Sequence, residues 1–142
     1  MGNVLEASVE LINEKLMFKC EAGENPPIIT DYIPPLGDLK GYMPLQLFLI
    51  SMATCTGGVI APFLRRSGKH VGGLQMKASG VRREQHPTGF EKIHLDIVLK
   101  SRDATEEDVT NILKLAEDTY CPVWSMIKGN VDVSASVSVI RE

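Results

Sequence analysis

Apolar residues alternate with polar ones over several short runs, and they cluster without interruption over one long run. Leu16, Phe18 and Cys20 alternate with Met17 and Lys19, after a stretch from Val4 to Ile12 in which Val9 and Leu11 share a face. Asn13-Glu14 between them is turn chemistry, so a β-hairpin is predicted over roughly residues 4–21. A short strand is predicted over 28–32. Pro34, Pro35, Gly37 and Gly41 make 33–43 an irregular connection, long enough to suggest a function or a partner. Leu74, Met76 and Ala78 alternate with Gln75, Lys77 and Ser79, which predicts a half-buried strand from 73 to about 84. His86-Pro87-Thr88-Gly89 is its turn. Ile93, Leu95, Ile97 and Leu99 then face one way in a strand over 90–101, with Lys92, His94, Asp96 and Lys100 opposite. Val131, Val133, Ala135, Val137 and Val139 alternate with polar residues in a last strand.

Helical spacing governs the rest. Thr105 is a natural N-cap, and Glu106, Glu107 and Asp108 suit the first turn of a helix that ends near Tyr120. Val109, Ile112, Leu113 and Ala116 lie on one face of it. A shorter helical piece runs from Pro122 to Lys128, closed by Gly129-Asn130. The order is β-β-β-α-β-β-α-α-β, an α+β chain. No repeat or linker divides it, so one domain over 1–142 is expected.

The long apolar run changes the picture most. Residues 41–64 carry no charged side chain, and Pro44 is well placed to open a helix running to about Ser67. Gly68 can end it, and Pro62 should kink its last turns. The length would suffice for a membrane span. Gln46, Ser51, Thr54, Thr56 and two glycines interrupt it, however, and the flanking charges set no orientation. The favoured expectation is a helix at the centre of a protein core, with no membrane partner.

Composition narrows the function classes. Lys and Arg total 15 against 18 Asp and Glu, a net charge of −3. That balance, without a basic block, argues against nucleic acid as a partner. Three cysteines, at 20, 55 and 121, are too few for a disulfide scaffold, and neither their spacing nor that of His70, His86 and His94 fits a metal site. No metal or other cofactor is expected. Cys55, in the middle of the apolar helix, can be an ordinary buried thiol. Cys121, just before Pro122, sits at a helix start, where free N–H groups stabilise a thiolate. If the two meet in space, one can be oxidised to a sulfenic acid and the other can condense with it. Spacing alone does not establish that they meet.

Three motifs carry a resemblance. Pro44-Leu45-Gln46-Leu47 followed by Ala53-Thr54-Cys55-Thr56 resembles the first cysteine motif of the osmotically inducible protein C (OsmC) and organic hydroperoxide resistance (Ohr) superfamily. Glu84-Gln85-His86-Pro87 with Phe90 and Lys92-Ile93-His94-Leu95 resembles its central hairpin, and Thr119-Tyr120-Cys121-Pro122-Val123 its second cysteine motif. The resemblance implies an intertwined homodimer, with β-sheets from both chains wrapped around two central helices, and a cytoplasmic, thiol-dependent peroxidase. Carried over by motif, Cys55 would be peroxidatic and Cys121 resolving. The substrate would be an organic hydroperoxide and the reductant a dithiol. Leu47, Phe48 and Trp124 would form an apolar substrate pocket, unless they are ordinary core. Two departures stand out: Leu45 occupies a position where the peroxidases carry Glu, and no Arg precedes Arg65 to stabilise the first thiolate. The chain therefore resembles the divergent OsmC-like branch. A binding protein without peroxidase activity, or a redox sensor, is the alternative. With no cation beside it, Cys55 should have a raised pKa.

Overall fold

The computed structural model describes residues 2–142. The chain forms two compact units, residues 1–48 and 49–142, joined through one helix.

In the first unit, β1 (Ser8–Leu11), β2 (Phe18–Glu21) and β3 (Ile28–Thr30) form an antiparallel sheet. Val9 pairs with Cys20 and Leu11 with Phe18, so the apolar positions share a face. The paired strands are shorter than the predicted hairpin. Asn13 sets the turn, its side-chain oxygen accepting from the Lys15 and Met17 amides at 3.0 and 3.1 Å.

The connection after β3 is an ordered turn built on Asp31, which the hydrophobic pattern did not mark. Asp31 is fully buried and accepts from the Tyr32, Asp38 and Lys40 amides at 2.8, 3.3 and 3.0 Å. Gly37 passes so close to the Asp31 carboxylate and the Tyr32 backbone that no Cβ would fit. Burial alone would raise the Asp31 pKa. The three amides, with Lys15, outweigh it and hold the carboxyl below its ordinary value. The buried residues of this unit are Thr30, Asp31 and Gly37; among the described residues, no apolar side chain before Met52 is buried.

Helix α1 (Pro44–Arg66) bridges the units, with Pro62 inside it and Gly68 closing it at φ +79°. By length and composition it could cross a membrane. Met52, Thr56, Val59, Ile60 and Leu64 are buried along one face, whereas Ile50, Thr54 and Gly58 are exposed. The chain by itself thus covers one side of the helix rather than all of it.

In the second unit, β4 (Gly73–Arg82), β5 (Phe90–Ser101) and β6 (Asp132–Arg141) make the other sheet. The β4–β5 pair is antiparallel and the β5–β6 pair parallel. A parallel pair needs a crossover. Here it is made by α2 (Glu106–Leu115), a π-helical turn (Ala116–Tyr120) and α3 (Pro122–Ile127). Ile93, Leu95, Ile97 and Leu99 are buried on the inner face of β5, and Val109, Ile112, Leu113 and Ala116 are buried on the helical side. Helix α1 lies on β4, since a Cβ on Gly57 would stand 3.2 Å from the Met76 sulfur. Thr105 caps α2 as the sequence predicts, and the structure adds that Asp108 reaches back to the Thr105 amide to close a reciprocal capping box.

Candidate active site

Two helices and a distorted turn bring Cys55 and Cys121 together. Cys55 sits mid-way along α1, where the apolar run keeps the helix regular and partly covered. Cys121 is fixed by the π-helical turn before it, whose closing bond runs from the Cys121 amide to the Ala116 carbonyl at 2.9 Å. One extra residue in that turn advances the chain, and such turns recur at functional positions. Pro122 then opens α3 without a donor to lose. Cys121 caps this helix, its sulfur accepting from the Trp124 amide at 3.4 Å.

The two sulfurs stand 3.0 Å apart as free thiols. A disulfide needs about 2.05 Å, so once an oxidant has taken two electrons from the pair, only a small approach of the side chains is needed for the bond. Cys121 is buried and Cys55 half-buried, so the sulfur with the better access is Cys55. Thr56 adds the third polar group. It is fully buried, its hydroxyl donates to the Met52 carbonyl at 2.9 Å, and its oxygen lies 3.9 Å from the Cys121 sulfur.

Burial pushes the Cys55 thiol above its ordinary pKa. The hydrogen bond and charge of Cys121 push the same way, while the Val123 amide pulls it down. No cationic side chain figures among these influences, in keeping with the missing arginine.

Phe63 packs against Tyr120, the residue before Cys121, with ring centroids 4.9 Å apart and the planes tilted by 48°, and the Arg66 guanidinium lies 5.1 Å over the Phe63 ring. Trp124 is buried and lines a groove of about 320 Å³ with Leu113, Lys114, Val133 and Val137 among its walls. Neither cysteine lines that groove. Leu47 and Phe48, half-buried, belong to the first unit. Cys20 is also in the first unit, with its sulfur 3.7 Å from the Thr30 hydroxyl. His94 lies on the outer face of the sheet, bridging Ser134 and Ser136 at 2.7 and 3.1 Å. Among the described residues, no cluster of His, Cys, Asp and Glu has the makings of a metal site. The amide on Cys121 is the one the Cys-Pro helix start leads one to expect, whereas the place of Thr56 and the action of the Val123 amide on Cys55 have no signal in the sequence.

An α+β crossover fold holding two thiols in contact defines a protein with a paired-cysteine site. The chain belongs to the OsmC-like protein family, whose family model matches residues 37–136. A hypothetical protein from Aquifex aeolicus VF5 is 26% identical, covering 99% of this chain and 100% of that one with a TM-score of 0.82. An OsmC-like protein from Mycoplasma pneumoniae is 18% identical over 99% of this chain and 100% of its own, with a TM-score of 0.84. An organic hydroperoxide resistance protein OsmC from Legionella pneumophila is 20% identical over 96% and 98%, with a TM-score of 0.73. No match was found among curated proteins. The family expected from the three motifs and the α+β order expected from the strand and helix pattern are thereby established.

Proposed function

We propose that the protein is a thiol-dependent peroxidase that reduces organic hydroperoxides. The observation that carries this reading is the 3.0 Å approach of the Cys55 and Cys121 sulfurs, with Cys55 the more accessible. The Cys55 thiolate attacks the terminal peroxide oxygen, and the O–O bond breaks. The alkoxide leaves as alcohol after taking a proton, and Cys55 becomes a sulfenic acid. The Cys121 sulfur then attacks the Cys55 sulfur, and water leaves as the disulfide forms. A dithiol reductant supplies the two electrons that restore both thiols. Such a cycle suits the reducing cytoplasm. The apolar surroundings favour an organic over an inorganic peroxide, with Leu47, Phe48 and Trp124 as substrate-binding residues.

The exposed apolar side chains of the first unit, such as Val9, Leu11, Ile33 and Leu36, support an obligate homodimer. So does the uncovered side of α1. The 1–142 chain is read as one domain of that dimer, completed by its partner.

A specific observation favours a second reading. The groove beside Trp124 has the volume of a small-molecule site, and Cys55 lacks a cation to activate it. A ligand-binding protein or redox sensor on this fold would have both features. Mixing the reduced protein with cumene hydroperoxide in a stopped-flow instrument separates the two. The peroxidase oxidises Cys55 far faster than a free cysteine model reacts, and faster than with hydrogen peroxide. Oxidation at the rate of the free thiol sinks the peroxidase reading.

A further inference from the structure

A polar cluster lies apart from the cysteines, on the outer face of the second sheet. Alternation buries Ile93, Leu95 and Ile97 of β5 on the inner face, so His94 and Asp96 stand on the outer one. The parallel register sets Ser134 of β6 opposite His94, and Ser136 opposite Asp96. All four are exposed. Their hydrogen bonds decide where the protons lie. Ser136 Oγ donates to Asp96 Oδ1 at 3.0 Å, which uses its one proton. Toward His94 Nε2, 3.1 Å away, Ser136 then has only lone pairs to offer, so Nε2 carries the hydrogen. A neutral imidazole has one N–H, which leaves Nδ1 as an acceptor. Facing it at 2.7 Å is Ser134 Oγ, whose hydroxyl therefore donates to Nδ1. On the β4 side, the residues opposite His94 and Asp96 are Ser79 and Lys77, so no second carboxylate competes for the ring from that strand.

The chain of bonds runs from a hydroxyl to a base to a group that orients the base, which is how a serine nucleophile is activated. The two ring nitrogens exchange roles relative to the usual serine–histidine–carboxylate triad, and Ser136 is interposed before the carboxylate. We propose that Ser134 is an acyl-accepting nucleophile for activated esters of small carboxylic acids, with His94 as its general base and Ser136 and Asp96 as positioning residues. Ser134 Oγ attacks the ester carbonyl carbon while His94 Nδ1 takes its proton. The bond from that carbon to the leaving oxygen breaks, and the leaving group departs with the proton. Water then attacks the acyl-serine. His94 takes the water's proton and returns it to Ser134 Oγ as the carboxylic acid is released. While the ring carries both protons, Nε2 still donates to Ser136, which passes on the influence of the Asp96 charge. The cluster is open to water, which weakens any electrostatic help to the carbonyl oxygen, so the ester has to bring a good leaving group, as an aryl ester does.

This inference does not depend on the thiol chemistry. The test is acetylation of the full chain by p-nitrophenyl acetate, with acid-quenched time points read by peptide mass spectrometry after neutral hydroxylamine has stripped acetyl groups from the thiols. Ser138 is the control within the same molecule. It is exposed on the same strand and face, and its partner across the sheet is Val98 rather than an imidazole. Ser134 should be acetylated about 100-fold faster than Ser138, the lower end of what a positioned general base contributes. His94→Gln should bring Ser134 down to the Ser138 rate. Ser136→Ala should slow Ser134 roughly 2- to 10-fold, the size expected for one hydrogen bond, and leave Ser138 unchanged. A merely structural effect of either substitution would move both serines together. Ser134 acetylated no faster than Ser138 in the native chain, or undiminished in His94→Gln, overturns the proposal. The first of these comparisons needs no variant to fold.

Discussion

The chemistry narrows to two sulfurs whose environments differ. Burial and Cys121 raise the Cys55 pKa, and the Val123 amide offsets them only in part. A thiol of raised pKa ionises late, so its reactivity climbs as pH rises and levels off only above the ordinary thiol value. The predicted outcome is that Cys55 alkylation keeps increasing beyond the pH at which a free cysteine model has reached its plateau. A plateau at lower pH, measured by the same mass-spectrometric rate assay, would contradict the assigned environment. Part of this site was legible in the sequence. The motifs around Cys55 and Cys121 and the helix-capping place of Cys121 could be read directly, and the missing arginine foretold the raised pKa. The meeting of the sulfurs could not be read, because it depends on the π-helical turn that advances Cys121 by a residue, and no periodicity encodes that turn.

Among the elements, the strands and helices follow their patterns closely and the connections do not. The alternation of Ile93, Leu95, Ile97 and Leu99 locates β5, and the Thr105 cap locates α2. The parallel pairing of β5 with β6 is invisible to alternation, which marks a face but not a partner. The segment after β3 was expected to be irregular, yet it is organised by a single buried carboxylate. Asp31→Asn leaves the shape but replaces an acceptor-only group by one that carries donors, so one or more of the Tyr32, Asp38 and Lys40 amides loses its bond. The folded pKa of Asp31 lies below the unfolded value. Its contribution to stability is therefore present above the unfolded pKa and is lost as pH falls through the folded one. The variant should unfold at lower temperature than the native protein near pH 7, and the gap should narrow below about pH 4. A gap that stays constant with pH, in paired thermal melts, would show that the carboxylate charge is not what orders this turn.

At the scale of the molecule, the charge-free run from 41 to 64 lies largely in helix α1, and the uncovered side of that helix is what supports the proposed homodimer. The first unit buries Thr30, Asp31 and Gly37 but leaves large apolar side chains such as Val9, Leu11, Ile33 and Leu36 exposed, which supports the proposed partner chain. Sedimentation equilibrium at micromolar concentration should give twice the chain mass, with no monomer that keeps native circular dichroism. A folded monomer would remove the partner from the account. The proposed function makes Cys55 and Cys121 the two ends of one redox cycle. It is tested most directly by adding one equivalent of cumene hydroperoxide to the reduced protein and mapping the product by non-reducing peptide mass spectrometry. A single new linkage is expected, Cys55 to Cys121, which a dithiol reverses and which Cys121→Ser replaces by a sulfenic acid on Cys55. Thiols left unoxidised, or a linkage through Cys20, would contradict it.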